Sequence, residues 1–237
     1  MISFRDAVGG HVLRRVVVPG IVLYLSLVAV GLLLAFPLKS FMKPEDEVNR
    51  DLAENRTADW TTTTGVISKL ADTASIIALL LIFALLLRWI FRRWAEAVTL
   101  MTAVLLQASV FLLTALVIDR QRPAVPQLDA APPTSSFPSG HTGAAVALYG
   151  GLAIIVGWRM RHRVPKVLLI SVLVAFPFLV AAARLYRGMH HPTDVIFGAA
   201  NGLACLTIAV RAFLPTTGRR RPFHWRPVSQ RSPADLS

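Results

Sequence analysis

The chain has 237 residues, 54% of them hydrophobic and 16% charged, with a mean hydropathy of +0.57. Several apolar stretches exceed the ~18 residues that mark a membrane-spanning helix, which excludes a soluble globular domain. The formal charge of +12 does not point to nucleic acid, because it sits between and beyond the apolar stretches, and a single cysteine leaves no partner within the sequence for a disulfide or a cysteine metal cluster.

Six spans are predicted, at about 17–38, 71–91, 97–118, 141–158, 167–187 and 193–214. Only helices satisfy their own backbone polar groups in a stretch of this kind, so the fold class is all-α: a polytopic membrane protein built as a six-transmembrane-helix bundle. The first span carries Arg14 and Arg15 on its flank, and its apolar run is too long for a cleavable signal, so it reads as an uncleaved first helix. The acid-rich segment 39–70 is expected to hold a short interfacial helix from about Glu45 to Arg56, with Val48 and Leu52 on one face. Asn55-Arg56-Thr57 is a formal glycosylation acceptor of a kind common by chance. Pro177 is expected to kink the fifth span, and Cys205 is read as a small packing residue. Residues 1–214 form the membrane domain, and 215–237 a basic, proline-rich cytoplasmic tail expected to be disordered.

Orientation follows from the basic residues. The N-terminus, the turns near 88–96 and 159–166 and the tail hold 16 of the 25 Lys and Arg, which places both termini in the cytoplasm. The segments 39–70, 119–140 and 184–194 then face outside. Apart from 39–70, this face carries Arg120, Arg122, His141, Arg184, Arg187, His190 and His191 and few acids, the composition of an anion site. Arginines alone would be explained as interfacial anchors; the histidines and two helix starts go further. In "FPSGHTG", Pro138 and Ser139 fit a turn and N-cap, Gly140 allows close backbone approach, and the free N–H groups of a helix start favour phosphate, with His141 in the first turn. In "MHHPTD", Pro192 suits the first helical position and Asp194 the first turn. Asp194 can accept from one histidine and leave that ring's other nitrogen free, but its spacing from His190 and His191 allows either.

These three segments together resemble the motifs of the phosphatidic acid phosphatase type 2 superfamily, which includes vanadium haloperoxidases. The first motif, lysine, six residues and Arg-Pro, is matched at Arg122-Pro123; the second, Pro-Ser-Gly-His, in full at 138–141; the third, Ser-Arg, five residues, His, three residues and Asp, at Arg184, His190 and Asp194. Ala115 stands where the family has lysine and Ala183 where it has serine. The resemblance implies that His190 is the nucleophile, Asp194 its orienting carboxylate and His141 the general acid and base. Arg122, Arg184, Ser139 and Gly140 would bind the phosphate, with Arg120 as a substitute cation for the missing lysine, and His191 falls on a variable position.

The implied function is that of an integral membrane lipid phosphatase working through a phosphohistidine, without a metal or other cofactor, at the outer membrane–water boundary of a bacterial plasma membrane. The expected partners are the bilayer and a lipid phosphate, not nucleic acid. A polyprenyl diphosphate is the preferred substrate, ahead of phosphatidic acid, diacylglycerol pyrophosphate and phosphatidylglycerol phosphate. The alternatives are a lipid phosphotransferase using the same site and a catalytically impaired anion-binding membrane protein; six spans argue against the haloperoxidase branch, whose known members are soluble.

Overall fold

The computed structural model describes residues 9–131 and 134–214, and among them the regular structure is helical throughout. Six helices are long and apolar enough to cross a bilayer: α1 (Gly9–Ala35), α4 (Thr73–Phe91), α5 (Ala95–Val117), α6 (Gly140–Arg159), α7 (Arg163–Tyr186) and α8 (Pro192–Phe213). Two shorter helices, α2 (Lys43–Glu54) and α3 (Ala58–Lys69), follow one another between α1 and α4. The tail after residue 214, read as disordered from its composition, lies outside the described residues.

The predicted spans match these six within a few residues, except at the start of α1. That helix begins well before residue 17 because its polar residues have work at the far end of the chain: His11 Nε2 lies 2.9 Å from the Ala212 carbonyl, and Arg15 donates to the Arg211 carbonyl. Both thereby satisfy carbonyls that the last turn of α8 leaves without intrahelical partners. α7 remains helical through Pro177.

The 39–70 segment differs more from expectation. α2 is present, but its inward face is polar: Glu45 and Asn49 are buried, while Val48 is 43% exposed. α3 was not expected, since "ADWTTTTGVISK" has no apolar stripe of helical period. Thr57 starts it, its hydroxyl accepting from the Trp60 N–H.

α5 packs at the centre of the bundle, against α8, α4, α1 and α6. One core cluster gathers Leu100, Leu148, Leu152, Val180 and Leu206; a second, nearer the α1 side, gathers Leu27, Val110, Ile118 and Phe137. α6 and α8 approach so closely that a Cβ on Gly198 would run into the Ser139 carbonyl, and one on Gly202 into the Gly143 carbonyl. This contact, with the hydrogen bond from the Ser139 N–H to the Asp194 carbonyl (2.8 Å), holds the starts of α6 and α8 side by side.

Candidate active site

The starts of α6 and α8, the end of α7 and the loop after α5 meet on one face of the bundle, and each contributes from sequence positions that local chemistry explains. α7 ends at Tyr186, and Gly188 turns the chain back with φ of +69°, a conformation that costs glycine nothing and a side chain a good deal. The turn delivers Met189, His190 and His191 to the start of α8, where Pro192 occupies the first helical position and Asp194 accepts from the His191 N–H at 2.8 Å.

His190 is 4% exposed. Its Nδ1 lies 2.8 Å from the Ser136 carbonyl oxygen. A carbonyl only accepts, so Nδ1 carries the hydrogen and Nε2 keeps its lone pair. Burial, followed by the charge of Arg184, pushes the His190 pKa down to about 3, against the opposing charge of Asp194. The ring is therefore neutral and nucleophilic at ordinary pH. Here the sequence reading needs correction. Asp194, expected to orient His190, stands 3.9 Å from its Nδ1 and is closer to the His191 ring, at 3.3 Å. The Ser136 carbonyl fixes the tautomer, and Asp194, fully buried, acts on His190 through its charge.

Opposite stand two arginines with unused donors. Arg184 Nη1 donates to the Ser68 hydroxyl and to Asp129, each at 2.7 Å, and Arg122 Nη1 donates to the Met189 carbonyl at 2.7 Å. The Nε of each is buried without a hydrogen-bond partner among the described residues. Unpaired buried donors on two adjacent cations make a strong anion site. Burial also lowers the Arg122 pKa, an effect that Asp194 opposes. His141 and Gly140 open α6 beside them, with the free N–H groups of its first turn.

Asp129 is the acid of this cluster that the sequence reading missed. It bridges Arg184 and Arg187. Burial alone would raise its pKa, but the hydrogen bonds from Arg187 and the charges of both arginines hold it below the usual carboxylate range. No local pattern marks it; only the shortage of acids in an arginine-bearing loop, Asp119 and Asp129 alone, gives a hint.

Two other expected phosphate ligands are turned away from this site. Ser139 is fully buried, with its hydroxyl 3.0 Å from that of Thr142. Arg120, expected as a substitute cation, has both terminal nitrogens on carboxylates: Nη1 on Asp194 at 2.5 Å and Nη2 on Glu45 at 2.8 Å. Held between two buried carboxylates, Arg120 does not line the cavity that carries Arg122 and Arg184. Ala115, where the lysine would stand, is buried and lines the cavity; Ala183 is buried in α7.

His141, His190, Arg122 and Arg184 stand at the polar end of a cavity of about 740 Å³; Lys69, Asp72 and Gln107 also line it, and Ile76, Leu80, Val104, Ala108 and Phe111 on α4 and α5 form an apolar wall. Its rim includes Ile77, Leu105 and Leu112, which are more than half exposed on the outer surface of the bundle. Among the described residues no group of three or more His, Cys, Asp or Glu is arranged to hold a metal ion.

Six apolar helices around a cavity whose polar end carries His141, His190, Arg122 and Arg184 define an integral membrane protein. The family model of the PAP2 superfamily matches residues 98–217, just over half of the chain, and the protein belongs to that superfamily. Its fold is similar to the crystal structure of the first transmembrane PAP2 type phosphatidylglycerolphosphate phosphatase from Bacillus subtilis, with 20% identity over 78% of this chain and 93% of that one and a TM-score of 0.67. It is also similar to Aquifex aeolicus LpxE, with 24% identity over 70% of this chain and 93% of that one and a TM-score of 0.55. No curated protein matches the chain by sequence.

Proposed function

We propose that this protein is a membrane lipid phosphatase that hydrolyses a lipid phosphate or diphosphate through a phosphohistidine. The observation that carries the reading is the continuity of one cavity from His190, His141, Arg122 and Arg184 to an apolar wall between α4 and α5. A phosphorylated headgroup fits the first end and a hydrocarbon tail the second.

In the first step His190 Nε2 attacks phosphorus in line, a P–N bond forms, and the bond from phosphorus to the leaving oxygen breaks. His141 gives that oxygen a proton, releasing the dephosphorylated lipid, or its monophosphate when the substrate is a diphosphate. In the second step His141 takes a proton from water, the water oxygen attacks phosphorus, and the P–N bond breaks to return neutral His190 and free phosphate. Arg122 and Arg184, with the N–H groups at Gly140 and His141, carry the charge of the phosphoryl oxygens. Their positive charge occupies the place a metal ion would fill in other phosphatases, and we infer turnover without metal. Asp194 balances the positive charge that grows on His190 during attack.

The preferred substrate is a polyprenyl diphosphate, with phosphatidic acid, diacylglycerol pyrophosphate and phosphatidylglycerol phosphate as the other members of the class. The outward orientation inferred from the basic residues supports this preference. Phosphate release by purified protein, over a panel of these lipids in detergent with chelator present, tests the reading. At least one lipid should release phosphate without added acceptor, and His190→Ala should abolish release in a protein that remains folded. Strict loss of turnover in chelator would end the metal-free mechanism.

A further inference from the structure

The buried ion pairs behind the histidines involve an element that neither the motifs nor the family model covers. Glu45, on α2, accepts from the Thr193 N–H through Oε1 at 2.8 Å and from the Thr193 hydroxyl through Oε2 at 3.0 Å. Its Oε2 also takes Arg120 Nη2 at 2.8 Å. Thr193 is the second residue of α8, whose N–H has no intrahelical partner, so the Glu45 carboxylate serves as a cap supplied from another helix. Arg120 joins three parts of the site. Its Nη1 reaches Asp194 Oδ1 at 2.5 Å and the Thr193 hydroxyl at 2.7 Å. Its backbone carbonyl accepts the Ser136 N–H at 2.9 Å, and its own N–H donates to the Ser135 hydroxyl at 3.3 Å. Ser136 is the residue whose carbonyl holds His190 Nδ1.

We propose that Glu45 and Arg120 are positioning residues for His190: a chain of buried contacts from α2 through Arg120 fixes both Asp194 and the Ser136 carbonyl, the two groups that set the direction and charge of the nucleophile. Neither residue touches the substrate. Asp194 and Glu45 are buried carboxylates that one planar guanidinium satisfies together, and a lysine in its place offers no fork to span them. A misplacement of about 1 Å in such a support costs on the order of a hundredfold in rate.

The kinetic readout rests on the phosphohistidine reading above, so it is paired with one that does not. Glu45→Ala and Arg120→Lys are compared with wild type and with Glu47→Gln, an exposed position on the same helix. Both variants should lose about ten- to a hundredfold in kcat, with KM changed less than about twofold, as expected when an interaction made only in the transition state is lost. Glu45→Gln, whose amide oxygen still accepts from Thr193, should recover part of the loss. The double variant should be no slower than the slower single one, since both substitutions break one chain. Glu47→Gln should match wild type. A rise in KM at constant kcat would place Arg120 on the substrate and overturn the inference, as would additive losses. In parallel, ¹⁵N-histidine NMR of the detergent-solubilised protein reads the ring tautomer without turnover. His190 should be protonated at Nδ1 in wild type and mixed in Arg120→Lys. An unchanged tautomer would overturn the inference, whereas a wild type inactive on every lipid would overturn only the proposed function.

Discussion

His190 and His191 are adjacent, both buried, and both within reach of Asp194, yet the structure gives them different surroundings. His190 has Nδ1 on the Ser136 carbonyl and lines the cavity. His191 has one nitrogen 3.3 Å from Asp194 and the other 3.3 Å from Asp46, and does not line it. His190→Ala should therefore abolish phosphate release, while His191→Ala should keep activity within about tenfold of wild type; the opposite result would reverse the assignment. The same surroundings set the pH dependence. A histidine pKa lowered to about 3 leaves the ring neutral above that pH. The acid limb of kcat/KM, which reports the free enzyme's nucleophile, should thus lie near pH 3 rather than in the ordinary histidine range. After correction for the substrate's own ionisation and for the basic limb that His141 contributes as the acid, no acid limb should appear between pH 7 and 5. A limb near 6.5 in that range would mean that His190 titrates as an exposed histidine does.

At the scale of the element, what the sequence made legible depended on whether an element's reason for existing was local. The six spans are written in length and apolarity, and the helix starts at Gly140 and Pro192 in short-range turn and cap chemistry. α3 is not legible, because a run of threonines carries no apolar stripe, and the polar inner face of α2 exists only because Arg120 and Thr193 arrive from elsewhere in the chain. Asp129 and the buried pairing of Arg120 escape for the same reason. The motif residues of α6 and α8 are legible, but the glycines that let them meet are silent until the helices are seen together. Gly198 faces the Ser139 carbonyl so closely that a methyl there must push one helix off the other. Gly198→Ala should cost about 1–3 kcal/mol of stability, seen as a lower Tm in detergent. It should also slow turnover, since the displaced Ser139 and Asp194 separate His141 from His190. Leu203→Ala, on the exposed side of the same helix, should leave turnover unchanged.

For the whole molecule, the arrangement that matters is one cavity running from a charged end to exposed apolar residues on α4 and α5. A lipid phosphate cannot leave the membrane without exposing its tail, at ~0.8 kcal/mol per CH₂, so an enzyme acting on it must admit the tail as well as bind the phosphate. The apolar cavity wall between α4 and α5 provides that admission in the proposed reading, and it makes a separable prediction. Ala108 lines this wall and is exposed on the membrane side of α5, where a larger apolar residue is compatible with folding. Ala108→Trp should fill the tail end while leaving His190, His141, Arg122 and Arg184 in place. Hydrolysis of a long-chain lipid phosphate in mixed micelles should then lose about tenfold or more in kcat/KM, a loss consistent with excluding two or more CH₂ groups from an apolar wall at ~0.8 kcal/mol each. Hydrolysis of a water-soluble phosphate ester by the same preparation should change less than about twofold. If both substrates slowed together, the substitution would have disturbed the polar site. If neither slowed, the tail would not lie between α4 and α5, and the lateral route would have to be given up while the chemistry at His190 stood.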